Sequence, residues 1–339
     1  MDLLPNEEQS EIISTVRAQL GADFSLNDLA ARDGDAEVVD AALWSRCAEL
    51  GWFALGLSES DGGIGYSLVE EALLFEELGA HCTPGPFLAT VLAAHCSAAA
   101  GSSELTAEVT AGTRRVALAE PESADAVVSA DAVSGGFRVT DHGGAELALV
   151  LHGDSCAVVS LEGVGLEPMP SLDLLVPLAT ARLDTMPVAL AQGPEVEHRA
   201  TVLTAAYLCG IARATAEQST EYAKDREQFG RPVGSFQAVK HRCADMAVRA
   251  DASQQLTHLA ALAVSGAHDD AAFQAEAARV VSGGAAIDNA ETNVQNHGGI
   301  GFTWEHTAHR YVTRARVWSQ RAGDRRTHLK SFLEQPAPA

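Results

Sequence analysis

The chain has 339 residues, of which 47% are apolar, 20% are charged and 5% are aromatic. This composition predicts a folded protein of two or three domains and excludes disordered, collagen-like and disulfide-knot proteins. The net charge of −23 argues against nucleic acid and anionic membrane surfaces as partners, because their phosphate groups would be repelled. No apolar run is long enough for a membrane span. The acidic segment 1–8 does not resemble a signal peptide, so we expect a cytoplasmic protein.

Residues 1–110 are predicted to form an N-terminal helical domain. Apolar residues recur at helical spacing in three segments, 7–20, 40–50 and 67–78. Ser67 is the predicted N-cap of the third segment, and another helix is expected after Pro86. The Gly-rich segment Asp61–Gly65 lacks the lysine and hydroxyl residue of a phosphate-binding loop, so it predicts a tight turn.

Residues 111–190 form a second region, in which short apolar runs are separated by Gly, Asp and Ser. This pattern is typical of β-strands joined by turns. We interpret the region as a small antiparallel β domain. Five strands are predicted, at 115–119, 126–130, 137–140, 147–151 and 156–160.

Residues 191–339 return to the helical period. Four long helices are predicted, at 195–224, 235–265 and 268–296, with a broken one over 304–334. This layout predicts a C-terminal four-helix bundle that also packs between subunits. The expected fold is therefore mostly α, with a small central β domain between two helical domains.

Two further compositional features concern possible sites. The last 39 residues carry three carboxylates and seven cations, which are Arg310, Arg314, Arg316, Arg321, Arg325, Arg326 and Lys330. Such a segment is either a solvated helix face or a contact for an anion or acidic partner. The six cysteines form no C-x-x-C pair and no zinc-binding spacing, so we expect reduced core thiols and no metal.

Two segments carry the residues best suited to binding a ligand. The first runs over 226–237 and reads Arg-Glu-Gln-Phe-Gly-Arg-Pro-Val-Gly-Ser-Phe-Gln. The second runs over 295–305 and reads Gln-Asn-His-Gly-Gly-Ile-Gly-Phe-Thr-Trp-Glu. An arginine such as Arg226 can form paired hydrogen bonds to a phosphate, and an aromatic ring such as Phe229 can stack on a base. Adjacent glycines let the main chain approach a ligand closely.

Together these segments closely resemble the acyl-CoA dehydrogenase family, whose hallmarks are R-x-x-F-G-x-P-[ILV]-x-x-F-Q and Q-x-x-G-G-x-G-[YF]-x-x-E. Segments 50–52, 62–65 and 76–79 resemble the family's first helical domain. The resemblance implies a helical domain, a β domain and a four-helix bundle, with FAD as cofactor and an acyl-CoA as substrate. It also implies that FAD is held across a subunit boundary, by Arg226, Gln228, Phe229, Gln237, Gln295, Gly298 and Gly299.

The chain departs from the family pattern where the chemistry takes place. In the family, a carboxylate takes a proton from the substrate α-carbon and the flavin takes a hydride from the β-carbon. The two positions that this carboxylate occupies in the family align with Ala322 and Ala200, so we predict no catalytic residue in this chain. The flavin-side motif T-E-P-x-x-G-S-D survives only partly, at 119–125. Residues 141–145 stand where the family has the strand that covers the flavin ring.

The resemblance therefore implies a subunit that works with a second, catalytic acyl-CoA dehydrogenase chain. Heteromeric actinobacterial enzymes of steroid side-chain breakdown are similar, since they are α2β2 assemblies with two FAD. The substrate would then be a steroid-bearing acyl-CoA, and an electron-transfer protein would be the acceptor. Two alternatives remain: a homotetramer with Glu197 or Asp324 as base, and a non-catalytic scaffold that binds no flavin.

Overall fold

The computed structural model of the chain describes residues 3–336, so 1–2 and 337–339 of the predicted outer domains lie outside the described residues. Within the described part, the helices before the strands are α1 (Glu7–Asp23), α2 (Leu26–Leu29), α3 (Ala41–Glu49), α4 (Leu68–Ala80), α5 (Phe87–Ala99) and α6 (Ser103–Thr110). The helices after them are α7 (Pro194–Asp225), α8 (Gln237–Ser265), α9 (Ala271–His297), α10 (Ala308–Trp318) and α11 (Arg325–Glu334). The predicted order of helices, strands and helices is confirmed.

The local signals in the sequence place several helix starts. Asn6 and Gln9 form a reciprocal capping box at the start of α1, with side-chain bonds of 2.8 and 3.0 Å to each other's main-chain N–H. Asp40 caps α3. Ser67, the predicted cap of α4, accepts a hydrogen bond from the Val69 N–H at 3.1 Å, which confirms it. These side chains satisfy donors that a helix leaves without partners in its first turn.

The strands of the main sheet are β1 (Val116–Pro121), β2 (Val127–Val128), β3 (Val133–Thr140), β4 (Leu147–His152), β5 (Ser155–Ser160), β6 (Leu166–Met169), β7 (Leu178–Thr185) and β8 (Ala189–Gln192). They lie in the order β6-β7-β3-β1-β4-β5-β8, with β2 paired to β3. The antiparallel prediction is wrong for one pair, because β1 and β4 run parallel, with Val116 opposite Leu147. Side chains alternate with period two in either direction, so the pattern could not reveal this.

The structure divides into two compact units. The first, which we call the sheet unit, comprises residues 28–71 and 84–200. Within it, α5 is almost wholly buried, and the Cys96 thiol on α5 donates to the carbonyl of Cys156 on β5 at 3.1 Å. The sheet's interior is built from small and branched side chains around Phe137. The domain boundaries predicted at 110 and 190 stay a prediction.

The second, the bundle unit, comprises residues 3–27, 72–83 and 201–336. Helices α8 and α9 run antiparallel, with the Ser253 and Ser282 hydroxyls 2.8 Å apart near the middle of their contact. The buried Asn289 amide donates to the carbonyl of Ala212 at 3.0 Å and to that of Met246 at 2.9 Å. One side chain on α9 thereby ties together α7, α8 and α9. The predicted broken helix is the pair α10 and α11.

The basic C-terminal segment fits the interpretation as a solvated helix face only in part. Its exposed cations are Arg316, Arg325, Arg326 and Lys330. Arg310, Arg314 and Arg321 are buried. Arg314 donates to the carbonyl of Thr83 at 2.9 Å and to the hydroxyl of Tyr207 at 2.7 Å. These three arginines are thus neither a solvated face nor an anion contact, because packing within the bundle unit buries them.

The cysteines lie mostly in the core, as predicted. All six are free thiols, and only Cys243 is more than slightly exposed. Burial raises the pKa of the Cys209 thiol, which keeps it protonated and unreactive. Over residues 3–336, no helix is both long and apolar enough to cross a bilayer.

Helices α4 and α7 cross within the bundle unit at two glycines. A β-carbon added to Gly79 would lie 1.9 Å from the carbonyl oxygen of Tyr207, and one added to Gly210 would lie 1.9 Å from that of Glu76. Main chain therefore touches main chain, which only glycine permits. Gly284 on α9 has a different setting, because no atom lies within 4 Å of an added β-carbon.

We expect Gly210→Ala to destabilise the chain by about 1–3 kcal/mol, because the added methyl group forces the two helices apart. Gly284→Ala is the matched control, and it should stabilise by about 0.5–1 kcal/mol, since alanine favours a helix where space allows. Urea unfolding followed by circular dichroism measures both. Equal midpoints for the two variants would contradict the close crossing.

Candidate cofactor-binding site

A short hairpin joins α7 to α8. Its strands are β9 (Glu227–Gln228) and β10 (Arg231–Pro232), and the turn residues Phe229 and Gly230 have φ angles of +54° and +75°. Two positive φ angles are typical of a type I′ turn, which favours Asn-Gly over a bulky first residue. The Phe229 side chain is nonetheless 92% exposed. A strained aromatic residue that buries almost none of its ring is typical of a functional position.

Arg226 lies at the base of this hairpin with its main chain fixed on both sides. Its N–H donates to the carbonyl of Tyr222 at 2.9 Å, and its own carbonyl accepts from the Val233 N–H at 2.7 Å. Its side chain is exposed and makes no hydrogen bond or ion pair within residues 3–336. Beside it, the guanidinium of Arg231 lies 4.1 Å from the centre of the Phe236 ring, a cation–π contact.

Three helix ends meet at this end of the bundle unit. The Tyr222 hydroxyl on α7 donates to the carbonyl of His297 on α9 at 3.3 Å, and their rings lie 4.3 Å apart. Gln237 begins α8, Gln295 lies in the last turn of α9, and both are exposed. An open cleft of about 530 Å³ adjoins Gln295 and is lined by Arg242, Arg249, Asp288, Glu291 and Thr292. The structure thus brings the predicted clamp residues to one end of one unit.

Gly298 and Gly299 follow directly after α9. Gly298 has a φ of +64°, and residues Gly298–Phe302 form a 3₁₀ turn. A β-carbon at either glycine would meet no atom within 4 Å, so their main chain faces open space. Phe302 and Trp304 come next, and both are more than 70% exposed. The Gly298 N–H donates to the carbonyl of Gln295, so the feature of this segment is open space over the glycines beside exposed rings, which suits a flat ligand such as a base.

The segments that the resemblance assigns to the flavin ring do not offer such a site. Asp141 has a φ of +55°, and a β-carbon at Gly143 would lie 1.7 Å from the carbonyl oxygen of Ala36. The turn 141–145 is therefore packed directly on main chain within the sheet unit. Glu120, from the partial T-E-P motif, is ion-paired with Arg138 at 3.3 Å. The residues present fit the adenosine and pyrophosphate of FAD, and not its ring.

Ala200 and Ala322, which the resemblance aligns with the family's base, have unlike surroundings in this structure. Ala200 is buried in α7, and the preceding Arg199 is paired with the buried Glu71. Ala322 has a φ of +54° and lies in a loop whose carbonyls are held by Arg279. The Arg279 guanidinium donates to the carbonyls of Ser319, Arg321 and Gly323, at 2.9, 3.1 and 3.1 Å.

The alternative bases lie at the starts of helices. Glu195 and Glu197 are exposed in the first turn of α7, where carboxylates are favoured by the helix dipole. The Asp324 carboxylate caps α11 and accepts from the N–H of Thr327 at 2.8 Å and from its hydroxyl at 2.7 Å. These hydrogen bonds lower the pKa of Asp324, which makes it a weaker base.

The sequence interpretation missed one cluster at this site. Three histidines, His297, His306 and His309, lie close together around the 298–305 segment. Their spacing in the sequence was the available signal, but it matched no metal-binding or catalytic pattern. Among the described residues, no group of three or more His, Cys, Asp or Glu could hold a metal ion.

Family models match both helical parts of the chain. The N-terminal domain of acyl-CoA dehydrogenases matches residues 6–113, and their C-terminal domain matches residues 197–334. The chain belongs to the acyl-CoA dehydrogenase family. This family consists of oxidoreductases acting on CH–CH groups, and FAD is its cofactor. The resemblance and the fold that it implies are confirmed.

Two relatives from Mycobacterium tuberculosis are similar in sequence. Acyl-CoA dehydrogenase IpdE2 is 31% identical, over 92% of each chain. Acyl-CoA dehydrogenase FadE34 is 36% identical over 79% of this chain, but the match covers only 38% of FadE34. The chain therefore spans the length of the first relative and little more than a third of the second.

Solved structures share the fold over nearly the whole chain. A variant of the Tcur3481–Tcur3483 steroid acyl-CoA dehydrogenase is 25% identical with a TM-score of 0.82, covering 97% of both chains. The ChsE4–ChsE5 complex of M. tuberculosis is 24% identical with a TM-score of 0.84, covering 99% of this chain and 100% of that chain. A glutaryl-CoA dehydrogenase of M. smegmatis in complex with FADH2 is 19% identical, with a TM-score of 0.84 over 98% and 95% of the chains.

We expect Asp324→Ala to destabilise α11 by about 1 kcal/mol, because the helix loses its N-cap. Asp324→Ser should keep most of this stability, since a serine hydroxyl can also accept from the Thr327 N–H. Thermal unfolding at neutral pH distinguishes the two variants. The Asp324 pKa is lowered in the folded chain, so its stabilising effect should be present above the ordinary aspartate pKa of about 3.9 and disappear as the pH falls. An alanine variant as stable as the wild type would show that the cap contributes nothing.

Proposed function

We propose that this chain is the non-catalytic subunit of an FAD-dependent acyl-CoA dehydrogenase. It contributes the adenosine and pyrophosphate side of the FAD site, while a second acyl-CoA dehydrogenase chain holds the flavin ring and supplies the base. One contrast carries the proposal. The clamp residues lie together and accessible at one end of the bundle unit, whereas both base positions are alanines.

Electrostatics support an anionic ligand at the clamp. The chain has twice as many carboxylates as Lys and Arg together, 46 against 23, yet Arg226 makes no ion pair within the described residues. A fixed main chain and an unpaired guanidinium suit a pyrophosphate, which an arginine binds with two parallel hydrogen bonds. Phe229 and the open main chain at Gly298 and Gly299 suit the adenosine next to it.

The segment that the resemblance assigns to the flavin ring leaves no room for a ligand, which supports the proposal that this chain needs a partner. The turn 141–145 leaves no room over the main chain of Ala36, and this chain would therefore bind only part of the cofactor. The catalytic chain would take the α-proton on its carboxylate, and FAD would take the β-hydride. Electrons would then leave through an electron-transfer protein. We propose an α2β2 assembly in the cytoplasm.

The relatives support a steroid side-chain acyl-CoA as the substrate class. Two solved structures of this fold are a steroid acyl-CoA dehydrogenase with two named chains and the two-chain ChsE4–ChsE5 complex. A homotetramer with Glu197 or Asp324 as base is less well supported, because both carboxylates are exposed at helix starts. A scaffold without flavin has no need of an unpaired Arg226.

The stoichiometry of flavin tests the proposal. Co-expression with the adjacent reading frame should give a yellow complex with one FAD per two chains, because each site takes its two sides from unlike chains. Absorbance at 450 nm against protein mass measures this ratio. One flavin per chain with activity in the isolated chain would favour the homotetramer, and a colourless complex would favour the scaffold.

We expect Arg226→Ala to weaken FAD binding by the complex at least tenfold. Removing one partner of a buried charge pair costs about 2–5 kcal/mol, and each tenfold in affinity corresponds to about 1.4 kcal/mol. Arg226→Lys should restore only part of the affinity, because an ammonium cannot form the two-pronged contact. Arg325→Ala is the matched control, since Arg325 is also exposed and unpaired within the described residues. Titration of the apo-complex with FAD measures the dissociation constant of each variant. Equal dissociation constants for wild type and Arg226→Ala would remove Arg226 from the site.

A further inference from the structure

Two imidazole rings lie at the two ends of the segment that contains Gly298 and Gly299. His297 precedes Gly298, and His306 lies eight residues after it. Their ring centres are 4.3 Å apart with planes at 43°. His297 also packs on the Tyr222 ring, at 4.3 Å. Residues 298–305 are therefore a loop whose two ends are joined by the contact between the His297 and His306 rings.

The hydrogen bonds identify whether the Nδ1 of each ring carries a hydrogen. The Nδ1 of His297 lies 2.8 Å from the carbonyl oxygen of Asn293, so it carries a hydrogen and donates. The Nδ1 of His306 lies 3.1 Å from the main-chain nitrogen of Ala308, so it accepts and carries no hydrogen. Ala308 is the first residue of α10, and Thr307 at the N-cap makes no side-chain capping bond. His306 therefore satisfies a donor that the helix start leaves unpaired.

Burial lowers the pKa of His297 and outweighs the effect of the Asn293 carbonyl, which favours a positive charge on that ring. Tyr222 faces the two rings from α7, the Asn293 carbonyl from α9 and His309 from α10, where the Nδ1 of His309 donates to the carbonyl of His306 at 2.7 Å. Burial and then the charges of His297 and His309 lower the pKa of His306, and no carboxylate contributes to either shift.

We propose that neutral His306 is a positioning residue, which holds the main chain of Gly298 and Gly299 in the shape that accepts a ligand, and that protonation of His306 releases this segment. A protonated Nδ1 turns a donor toward the Ala308 N–H and breaks that hydrogen bond. It also places a cation at the positive end of the α10 dipole and a second cation against His297 if both rings are protonated. The inference depends on the proposed function only for the identity of the ligand, which is FAD.

The direction of the pH effect follows from proton linkage. A released His306 has the ordinary pKa of about 6.5, while the ordered one has a lower pKa. The released state therefore binds more protons below about pH 6.5, and the ordered segment loses stability as the pH falls. For one histidine with a released-state pKa of about 6.5, the released population at pH 5.5 rises by at most roughly tenfold.

Hydrogen exchange tests the inference with a readout that does not depend on flavin. It is measured on the full chain, alone and in the co-purified complex. The peptide covering 298–308 should exchange faster at pH 5.5 than at pH 7.5, by at most roughly tenfold, after correction for the intrinsic pH dependence of exchange. His306→Asn should abolish this change, because an asparagine oxygen can accept from the N–H two residues on but does not titrate. His306→Phe keeps a ring for the contact with His297 and lacks the acceptor, so fast exchange is expected at both pH values.

His268→Gln is the matched control, since this exposed histidine follows α8 at the far end of the helix and its removal should leave the pH profile unchanged. Exchange that does not depend on pH in the wild type, or a pH effect that survives in His306→Asn, would overturn the inference. FAD retention, measured by gel filtration at the same pH values, tests the proposed function separately. A further outcome is that exchange follows the prediction while wild type and His306→Asn both retain flavin at pH 5.5. In that case His306 positions the segment but FAD binding does not depend on it, and the proposed contact of FAD with Gly298 and Gly299 fails.

Discussion

The arrangement of the bundle unit depends on the contact of main chain with main chain where α4 crosses α7. Gly79 and Gly210 allow this contact, and buried carboxylates flank it. Glu77 accepts from Arg17 at 2.8 and 2.9 Å and from Arg213 at 2.6 Å, while Glu76 accepts from His258 at 2.8 Å. A buried carboxylate without its partners is strongly destabilising, so these pairs fix which turns of the two helices meet. The end of α7, where Arg226 lies, is positioned by this crossing.

Much of the fold could be predicted from periodicity and helix caps, and the failures have clear physical causes. Strands β6, β7 and β8 were missed because they are short or polar. In β7, Ala179, Ala181 and Leu183 are buried, while Thr, Arg and Asp alternate with them, which breaks up the apolar run. Strand direction and burial of charge are set by tertiary contacts. A count of cations therefore could not distinguish the buried Arg314 from the exposed Arg325.

For the candidate site, the sequence predicted the residues but not their arrangement in space. Motif spacing identified Arg226, Phe229 and Gln295, but only the structure brings them to one end of one unit. No pattern in the sequence indicates that Phe229 occupies a left-handed turn position or that the rings of His297 and His306 lie 4.3 Å apart. Both features arise because the chain must turn sharply after α7 and after α9. Residues on these turns are held by main-chain hydrogen bonds, such as those of the Arg226 and Gly298 N–H groups, which leaves the side chains of Arg226 and Phe229 accessible.

The loop around Ala322 keeps its conformation without a carboxylate at the position that the family resemblance assigns to the base. A non-glycine residue in the left-handed region costs about 1–2 kcal/mol, and Ala322 has no carboxylate to make this strain useful. The loop is nonetheless retained, because the buried Arg279 guanidinium needs the carbonyls of Ser319, Arg321 and Gly323 as acceptors. Loss of these acceptors would leave a buried cation unsatisfied, at a larger cost than the strain. The conformation of the loop is thus maintained by main-chain carbonyls, which do not depend on the side chain at position 322. The clamp has the opposite character, since Arg226 and Phe229 are exposed and contribute little to folding, as expected of residues that serve the proposed cofactor contact.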